Sequence, residues 1–377
     1  MNLELTEEQL MLQDSLGKFL QNEYSFEQRQ RLSREGIGYS EKNWQQFAEM
    51  GLLGIAFEEE YGGFNFGMTG LSIVMEAIGR GLIVEPYLAT VVLAGQLIQL
   101  AGNEEQKQAL LPPLIEGEMK LAFAYAERQG RYDVFDVSLK AESSAKGYVL
   151  NGSKSVVFNA ETADKIIVSA RTSGEQRDKG GISLFIVNKD AVGLTARHYQ
   201  TVDGLRASEL NFDEVEIADD CLLGSLNEAN PVIEQVIELA ATAICAEGVG
   251  VISELREKTV EYLKTRKQFS QTLGHFQVLQ HRAVDMFMTE EQIRSLSYLA
   301  AIKLDGEDKK EQLKALSAAK VYLGDARTLV GEQAAQLHGG IGVTDELDVA
   351  HYYKRLAMLN TLFGDRDFHL QRFSQLL

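Results

Sequence analysis

Arg266-Lys-Gln-Phe-Ser-Gln-Thr-Leu-Gly-His-Phe-Gln277, followed directly by Val278-Leu-Gln-His-Arg-Ala-Val-Asp-Met286, joins two helical patterns through a short loop. It gathers the guanidinium of Arg266, the amides of Gln268 and Gln277 and the rings of Phe269 and Phe276 within a few residues. A guanidinium fork matches phosphate oxygens, and rings and amides suit a flat heterocycle. Such a set fits a cofactor that carries both a pyrophosphate and a flat ring system.

Outward from this segment the chain changes character twice. From Pro231 to the end it is helical, in four or five long segments, the longest over about 231 to 265. Before it lies a compact β-region with short strand candidates: Leu121–Tyr125, Val137–Glu142, Gly147–Leu150, Lys165–Ala170, Ile182–Val187 and Leu210–Ile217. Leu210–Ile217 alternates apolar with polar residues, as a strand with one wet face should. Asn151-Gly152 reads as a hairpin turn. The N-terminal part is helical again. Thr6-Glu-Glu-Gln9 has the form of a capping box. Ser40–Met50, Thr69–Ile83, Pro86–Ala101 and Glu104–Ile115 follow as helices, with Pro112-Pro113 ending or interrupting the last. Helices, then strands, then helices make an α+β plan, with domains expected at 1–118, 119–225 and 226–377.

The bulk numbers narrow the function. A chain of 377 residues with 45% apolar and 24% charged residues has the composition of a soluble globular protein with a sizeable core. A formal charge of −18 argues against a nucleic-acid partner, while leaving room for an anionic cofactor held by a few local cations. Cys221 and Cys245 form no disulfide framework and lack zinc-ligand spacing, so no metal site is expected. The start, Met1-Asn-Leu-Glu-Leu-Thr-Glu-Glu, has no basic n-region, and no run of 18 apolar residues suggests a membrane span. A cytoplasmic location is the expectation.

The opening segment resembles the flavin-contacting signature of the acyl-CoA dehydrogenase family. It holds two landmarks, Arg266-x-Gln-Phe269 and Gly274-His-Phe-Gln277, and three more share the resemblance in the family's order: Glu60-Tyr-Gly-Gly63, Asn151-Gly-Ser-Lys154 and Gln336-Leu-His-Gly-Gly-Ile-Gly342. The resemblance spans nearly the whole chain. It implies a helical N-terminal domain, a middle β-barrel-like domain and a C-terminal four-helix bundle. It also implies FAD as cofactor, an acyl-CoA thioester as substrate and an electron-transfer flavoprotein as electron acceptor. The reaction implied is α,β-dehydrogenation, with a carboxylate taking the α proton while a hydride leaves the β carbon. Arg266 resembles the family arginine that contacts the FAD pyrophosphate across a dimer interface. Gln268, Phe269, Gln277, Gln336, Gly339 and Gly340 resemble the rest of that dinucleotide cradle, where glycines let backbone N–H groups approach the cofactor.

Two parts depart from the family pattern. Where the family has Thr-Glu-Pro-x-x-Gly-Ser-Asp, this chain reads Ala126-Glu-Arg-Gln-Gly-Arg-Tyr-Asp133. Where it has Trp-Ile-Thr-Asn, this chain reads Val156-Val-Phe-Asn159. A hydroxyl and an indole are missing at the ring end, and Phe158 remains as a side chain able to stack. The usual base is also absent: Gly364 stands at the glutamate position, with Asp365 next to it as a second choice.

The preferred base is Glu247, the sole carboxylate in the apolar run Leu239–Ile252, where it falls on a stripe with Ala240, Ala243, Ile244 and Val251. Desolvation moves a carboxyl group toward the range where a general base works best. Small neighbours at Ala243, Gly248 and Gly250 leave room for a ligand or a close helix. The alternative reading makes Glu247 the partner of a buried Arg or Lys. An intact dinucleotide end, an altered ring end and a displaced base resemble family members that work as mixed tetramers, notably the small subunit of pimeloyl-CoA dehydrogenase and subunits acting on steroid side chains. A homo- or hetero-oligomer with a second acyl-CoA dehydrogenase chain is therefore expected. The alternative function is a non-catalytic subunit that completes a partner's FAD site.

Overall fold

The computed structural model describes residues 6–377, so part of the N-terminal start read above lies outside the described residues. The N-terminal part forms α1 (Glu7–Glu23), α2 (Phe26–Arg34), α3 (Glu41–Glu49) and α4 (Gly67–Gly81). A π-helical stretch, Leu88–Gly95, then runs into α5 (Gln96–Ala101), followed by α6 (Glu104–Ile115). The expected capping box is present: Thr6 accepts from the Gln9 backbone N–H, and the Gln9 side chain accepts from Thr6 N–H. A second one, not anticipated, starts α6, with Asn103 and Gln106 in the same roles. Pro112 and Pro113 sit inside the last turns of α6 and do not break it.

The middle part is one eight-stranded sheet: β1 (Leu121–Ala124), β2 (Lys140–Ser144), β3 (Gly147–Phe158), β4 (Lys165–Arg171), β5 (Ile182–Asn188), β6 (Leu194–Gln200), β7 (Arg206–Ile217) and β8 (Leu222–Leu223). Its order is β6-β7-β3-β2-β4-β5-β8, with β1 pairing parallel to β4 off that path. Asn151-Gly152 is not the hairpin turn expected of it. The β2–β3 hairpin closes between Ser144 and Gly147, and Gly152 instead occupies a register shift within β3 at φ +139°. A Cβ there would lie 2.7 Å from Leu139 Cα, so only glycine allows the neighbouring chain so near.

The C-terminal part contains α7 (Asn230–Thr265), the two-stranded hairpin β9 (Lys267–Gln268) and β10 (Gln271–Thr272), and α8 (Gln277–Leu304). It ends with α9 (Lys309–Ala326), α10 (Glu332–His338), α11 (Asp348–Thr361) and α12 (Arg366–Gln375). Among the described residues α7 is long and apolar enough to cross a membrane by composition, but its most apolar window is 89% buried, as in a core helix.

Two compact units result. One comprises 6–31, 67–83 and 241–377; the other comprises 32–66 and 84–240. In the first, α4 and α7 touch backbone to backbone. A Cβ on Gly79 would sit 2.0 Å from the Glu247 carbonyl oxygen, and one on Gly250 would sit 1.9 Å from that of Glu76. The second unit holds the sheet core, built on Leu139, Leu150, Ile166, Val168, Phe185, Leu210 and Phe212. Trp44 is fully buried there and donates its indole N–H to Gly117 O at 3.1 Å.

Candidate functional site

The α7–α8 connection places its groups on the surface. Arg266, Lys267, Gln268, Phe269, Ser270 and Gln277 are all exposed, Phe269 at 85%. Leu273 N–H donates to Arg266 O at 2.8 Å and closes the β9–β10 hairpin onto the end of α7. The turn residues Phe269 and Ser270 both have left-handed φ, +53° and +67°. That is the geometry of a two-residue hairpin turn normally made by Asn-Gly, and it strains a phenylalanine.

The second glycine motif adjoins this end of α7. Tyr262, one turn before Arg266, stacks on His338 with ring centroids 4.4 Å apart. His338 is buried and hydrogen-bonds Ala334 O through Nδ1, so that nitrogen carries the proton. Burial lowers its pKa and so favours the neutral ring. Directly after it the chain turns at Gly339, with φ +68° and ψ −147°, a region open essentially to glycine alone. Gly339 and Gly340 are exposed, and a Cβ on either would meet nothing within 4 Å. Gln336 is exposed on the preceding turn. The fold thus brings an exposed guanidinium, exposed amides, an exposed aromatic ring and an open glycine turn to the α7–α8 and α10 ends of the helical unit. These groups fit the diphosphate and adenosine portion of FAD.

In the sheet unit the ring-end segments are ordered differently. Phe158 ends β3 opposite Ala207 and is 7% exposed, so most of its ring packs inward. Val156 lies in a bulge of β3 at φ +52° and is 40% exposed. A β-branched residue in that region is strained, and such strain concentrates at ligand contacts. Ala126 O accepts from Ser155 N–H at 2.8 Å, which ties the altered Ala126–Asp133 segment to the bulge.

Both expected bases have other partners. Glu247 is 2% exposed on α7, and its two oxygens accept from Arg355 of α11, from Nε at 2.5 Å and from Nη2 at 2.8 Å. This is the fork-on-fork geometry of a buried ion pair, and a carboxylate so engaged is a poor proton acceptor. The small residues beside it admit close helices. Gly250 meets the α4 backbone, and Gly248 meets the side chain of Leu323 on α9. The structure therefore corrects the reading of Glu247 as a base beside open space. Nothing in the sequence run Leu239–Ile252 signals Arg355, which lies 108 residues away.

Asp365 is the N-cap of α12, accepting from Phe368 N–H at 2.9 Å, a structural task for its carboxylate. Gly364 has φ +103°, and a Cβ there would lie 2.5 Å from Phe368 and 2.7 Å from His369. No glutamate side chain fits that position as the loop stands. Lys320 holds the same loop from below. Its buried ammonium donates to Leu359 O and Leu362 O at 2.8 Å and to Asn360 O at 3.3 Å, and burial draws its pKa down to about 8. Arg206 makes a long ion pair with Glu161 and donates to Gly36 O, so it is spent within the sheet unit. His275 and His281 are exposed singly.

Family models for the acyl-CoA dehydrogenase N-terminal, middle and C-terminal domains match residues 6–118, 122–215 and 230–375. The chain is 29% identical over 377 residues to the probable acyl-CoA dehydrogenase YngJ of Bacillus subtilis (strain 168), covering 99% of this chain and 98% of that one. It superposes with a TM-score of 0.86 and 29% identity on a chain of a variant of the Tcur3481-Tcur3483 steroid ACAD, over 98% of this chain and 97% of that one. A chain from the structure described as the electron transferring flavoprotein of Acidaminococcus fermentans matches at 27% identity and TM-score 0.91, over 100% and 99% of the two chains.

Proposed function

The chain belongs to the acyl-CoA dehydrogenase family, whose reaction is the FAD-dependent α,β-dehydrogenation of an acyl-CoA thioester, and we propose that it takes part in that reaction as one subunit of an assembly with a second dehydrogenase chain. The observation that carries the assembly is the exposure of the dinucleotide-end groups. Arg266, Gln268, Phe269, Gln336 and the Gly339-Gly340 turn all face outward. Along α8 the large apolar residues Val284, Phe287 and Met288 are also exposed at helical spacing, a face suited to another protein surface.

In this reading Arg266 would hold the diphosphate with its planar fork, and the amides of Gln268 and Gln336 and the ring of Phe269 would hold the rest of the dinucleotide end. The Gly339-Gly340 backbone approaches the phosphates. FAD bound there supplies the hydride acceptor for the β carbon. The electron acceptor of the assembly would be an electron-transfer flavoprotein, a partner suggested by the Acidaminococcus relative. A mixed assembly is suggested by the paired chains of the Tcur3481-Tcur3483 steroid ACAD.

A second reading has its own support: a subunit that completes a partner's FAD site and abstracts no proton. Glu247 is held by Arg355, Asp365 caps α12, and Gly364 has no space for a side chain. The absorption spectrum of the purified chain separates the two. A yellow protein that bleaches with an acyl-CoA is the expected result for the enzyme. A colourless protein that joins a yellow species only with a second dehydrogenase chain establishes the subunit reading. A chain that stays colourless in both settings overturns both.

A further inference from the structure

Lys154 is the last residue of the Asn151-Gly-Ser-Lys154 landmark, and its side chain is fully buried in the sheet unit. Its ammonium donates to Glu127 Oε1 at 2.8 Å, Ser169 Oγ at 3.0 Å and Tyr125 O at 3.2 Å, which uses all three of its protons. Glu127 is equally saturated. Oε1 also accepts from Leu139 N–H at 3.2 Å, and Oε2 accepts from Ser138 N–H at 2.9 Å, from Gln129 Nε2 at 2.8 Å and from the Ser138 hydroxyl. Burial pushes the Glu127 carboxyl up, but Lys154 and these donors outweigh it and hold the group below the ordinary carboxylate range.

The surroundings show what the pair does. Residues 125–139 contain no helix and no strand, and one carboxylate gathers both ends of that segment: Tyr125 through Lys154, Ser138 and Leu139 directly. A further cation braces the far side. Arg171 donates to Phe135 O and Gln176 O at 2.8 Å and to Asp178 O at 3.1 Å. The segment reaches the strained bulge through Ala126 O and Ser155 N–H, one residue from Val156. A buried ion pair gives little net stability over well-packed apolar side chains, so its use here is geometric.

We propose that Glu127 and Lys154 are positioning residues that set the Tyr125–Leu139 segment and, through the Ala126–Ser155 bond, the bulge at Val156 that forms the ring-side wall of the flavin site. The proposal rests on the dehydrogenase reading above. It assigns the buried pair a task at the segment where the family pattern's threonine and tryptophan are replaced by Ala126 and Val156.

The test is Glu127→Gln in the flavin-loaded protein or assembly, with Ser138→Ala as a milder variant that deletes a single donor to the same carboxylate. Gln cannot accept from both Lys154 and Ser138 without turning its own NH2 onto a donor. Amide hydrogen exchange at Ser138 and Leu139, the shape of the visible flavin spectrum, the FAD dissociation constant and the thermal midpoint are measured together. For Glu127→Gln, exchange accelerates at least tenfold at both amides, the flavin spectrum changes shape and the FAD Kd rises at least tenfold. Ser138→Ala gives the same changes at about fivefold, the worth of one hydrogen bond. A lowered thermal midpoint with an unchanged flavin spectrum and Kd in both variants makes the pair merely structural and overturns the proposal. Wild-type protein that takes up no FAD in any setting overturns the dehydrogenase reading itself, a result visible before any variant is made.

Discussion

Arg266 and Arg355 are both arginines of the C-terminal part, and the fold treats them oppositely. Arg355 lies buried on α11 with its fork closed on Glu247. Arg266 stands exposed one residue beyond α7, beside an exposed phenylalanine and an open glycine turn. The same contrast holds for the carboxylates. Glu127 and Glu247, both buried, are committed to internal pairs with Lys154 and Arg355. Low exposure of these charged groups marks a closed structural contact. Arg266, Gln268, Phe269, Gln336 and the Gly339-Gly340 turn are on the outside, where a second molecule can meet them.

The largest expected effect comes from opening the buried pair. Arg355→Met leaves the Glu247 carboxylate without its fork in an apolar helix packing and is expected to cost about 3–5 kcal/mol of unfolding free energy. Glu247→Leu combined with Arg355→Met is expected to recover most of that loss, since both charges are then gone. Urea unfolding of the two single variants and the double variant checks it. Glu247→Gln in the flavin-loaded assembly adds the functional half: flavin reduction by an acyl-CoA continues within about threefold of wild type if the pair is structural. Loss of flavin reduction by several orders of magnitude, with the fold intact, would restore Glu247 as the base.

Next in size is the glycine turn on the outside. Gly339→Ala meets no atom within 4 Å, so any cost arises from forcing an alanine into φ +68° and ψ −147°, about 1–3 kcal/mol. The strain is relieved by a shift of the turn, and FAD affinity is expected to fall at least tenfold while the thermal midpoint drops only a few degrees. Gly250→Ala is the buried counterpart, with its new Cβ 1.9 Å from the Glu76 carbonyl oxygen. It is expected to reduce stability by about 1–3 kcal/mol or more through displaced helices. FAD affinity then falls only as far as the folded fraction does.

Acid exposes the buried histidines. His369 is fully buried, donates from Nε2 to Phe363 O at 3.0 Å and is pulled down to about 3, first by burial and then by the Lys320 charge. Burial also lowers His338 and His351. His351 faces Arg29, which can only donate, so its Nδ1 must stay unprotonated to accept. The unfolded chain binds these protons near pH 6.5 and the folded one does not. For His369 the contribution is therefore complete above about pH 6.5 and is lost as pH drops from there toward 3, by about 1.4 kcal/mol per pH unit, and His338 and His351 add to the loss in the same direction. Urea midpoints measured across that window should flatten in His369→Phe relative to wild type.

These contrasts also mark how far the sequence can be read. The helix–sheet–helix order is legible, because apolar periodicity is a local signal. Strand β6, Leu194–Gln200, is not. It is an edge strand with mostly exposed side chains, so it shows no alternation. Helix α2 is equally hidden, because Phe26–Arg34 is almost entirely polar. Asn151-Gly152 carries a turn signal that the fold spends on a bulge. Glu247 misleads for a different reason. Its neighbours in sequence predict burial, but whether a buried acid faces a ligand or a guanidinium is decided by a partner 108 residues away. Lys154 and Glu127 both lie in recognisable segments, but nothing local in either says that the two side chains meet.

The smallest effect is the one with opposite signs for stability and function. Phe269 and Ser270 adopt a left-handed pair that Asn-Gly takes without strain, and Phe269 contributes little to the folded core at 85% exposure. Replacing the two by Asn-Gly should stabilise the hairpin by about 0.5–1 kcal/mol. The same change removes the exposed ring, and both FAD affinity and association with a second dehydrogenase chain are expected to weaken by roughly tenfold, about 1.4 kcal/mol. Thermal melting and sedimentation of the same preparation read the two signs together. A variant that is both more stable and fully competent in FAD binding would show that the strained turn is incidental. It would also remove Phe269 from the exposed groups that mark this face as a binding surface.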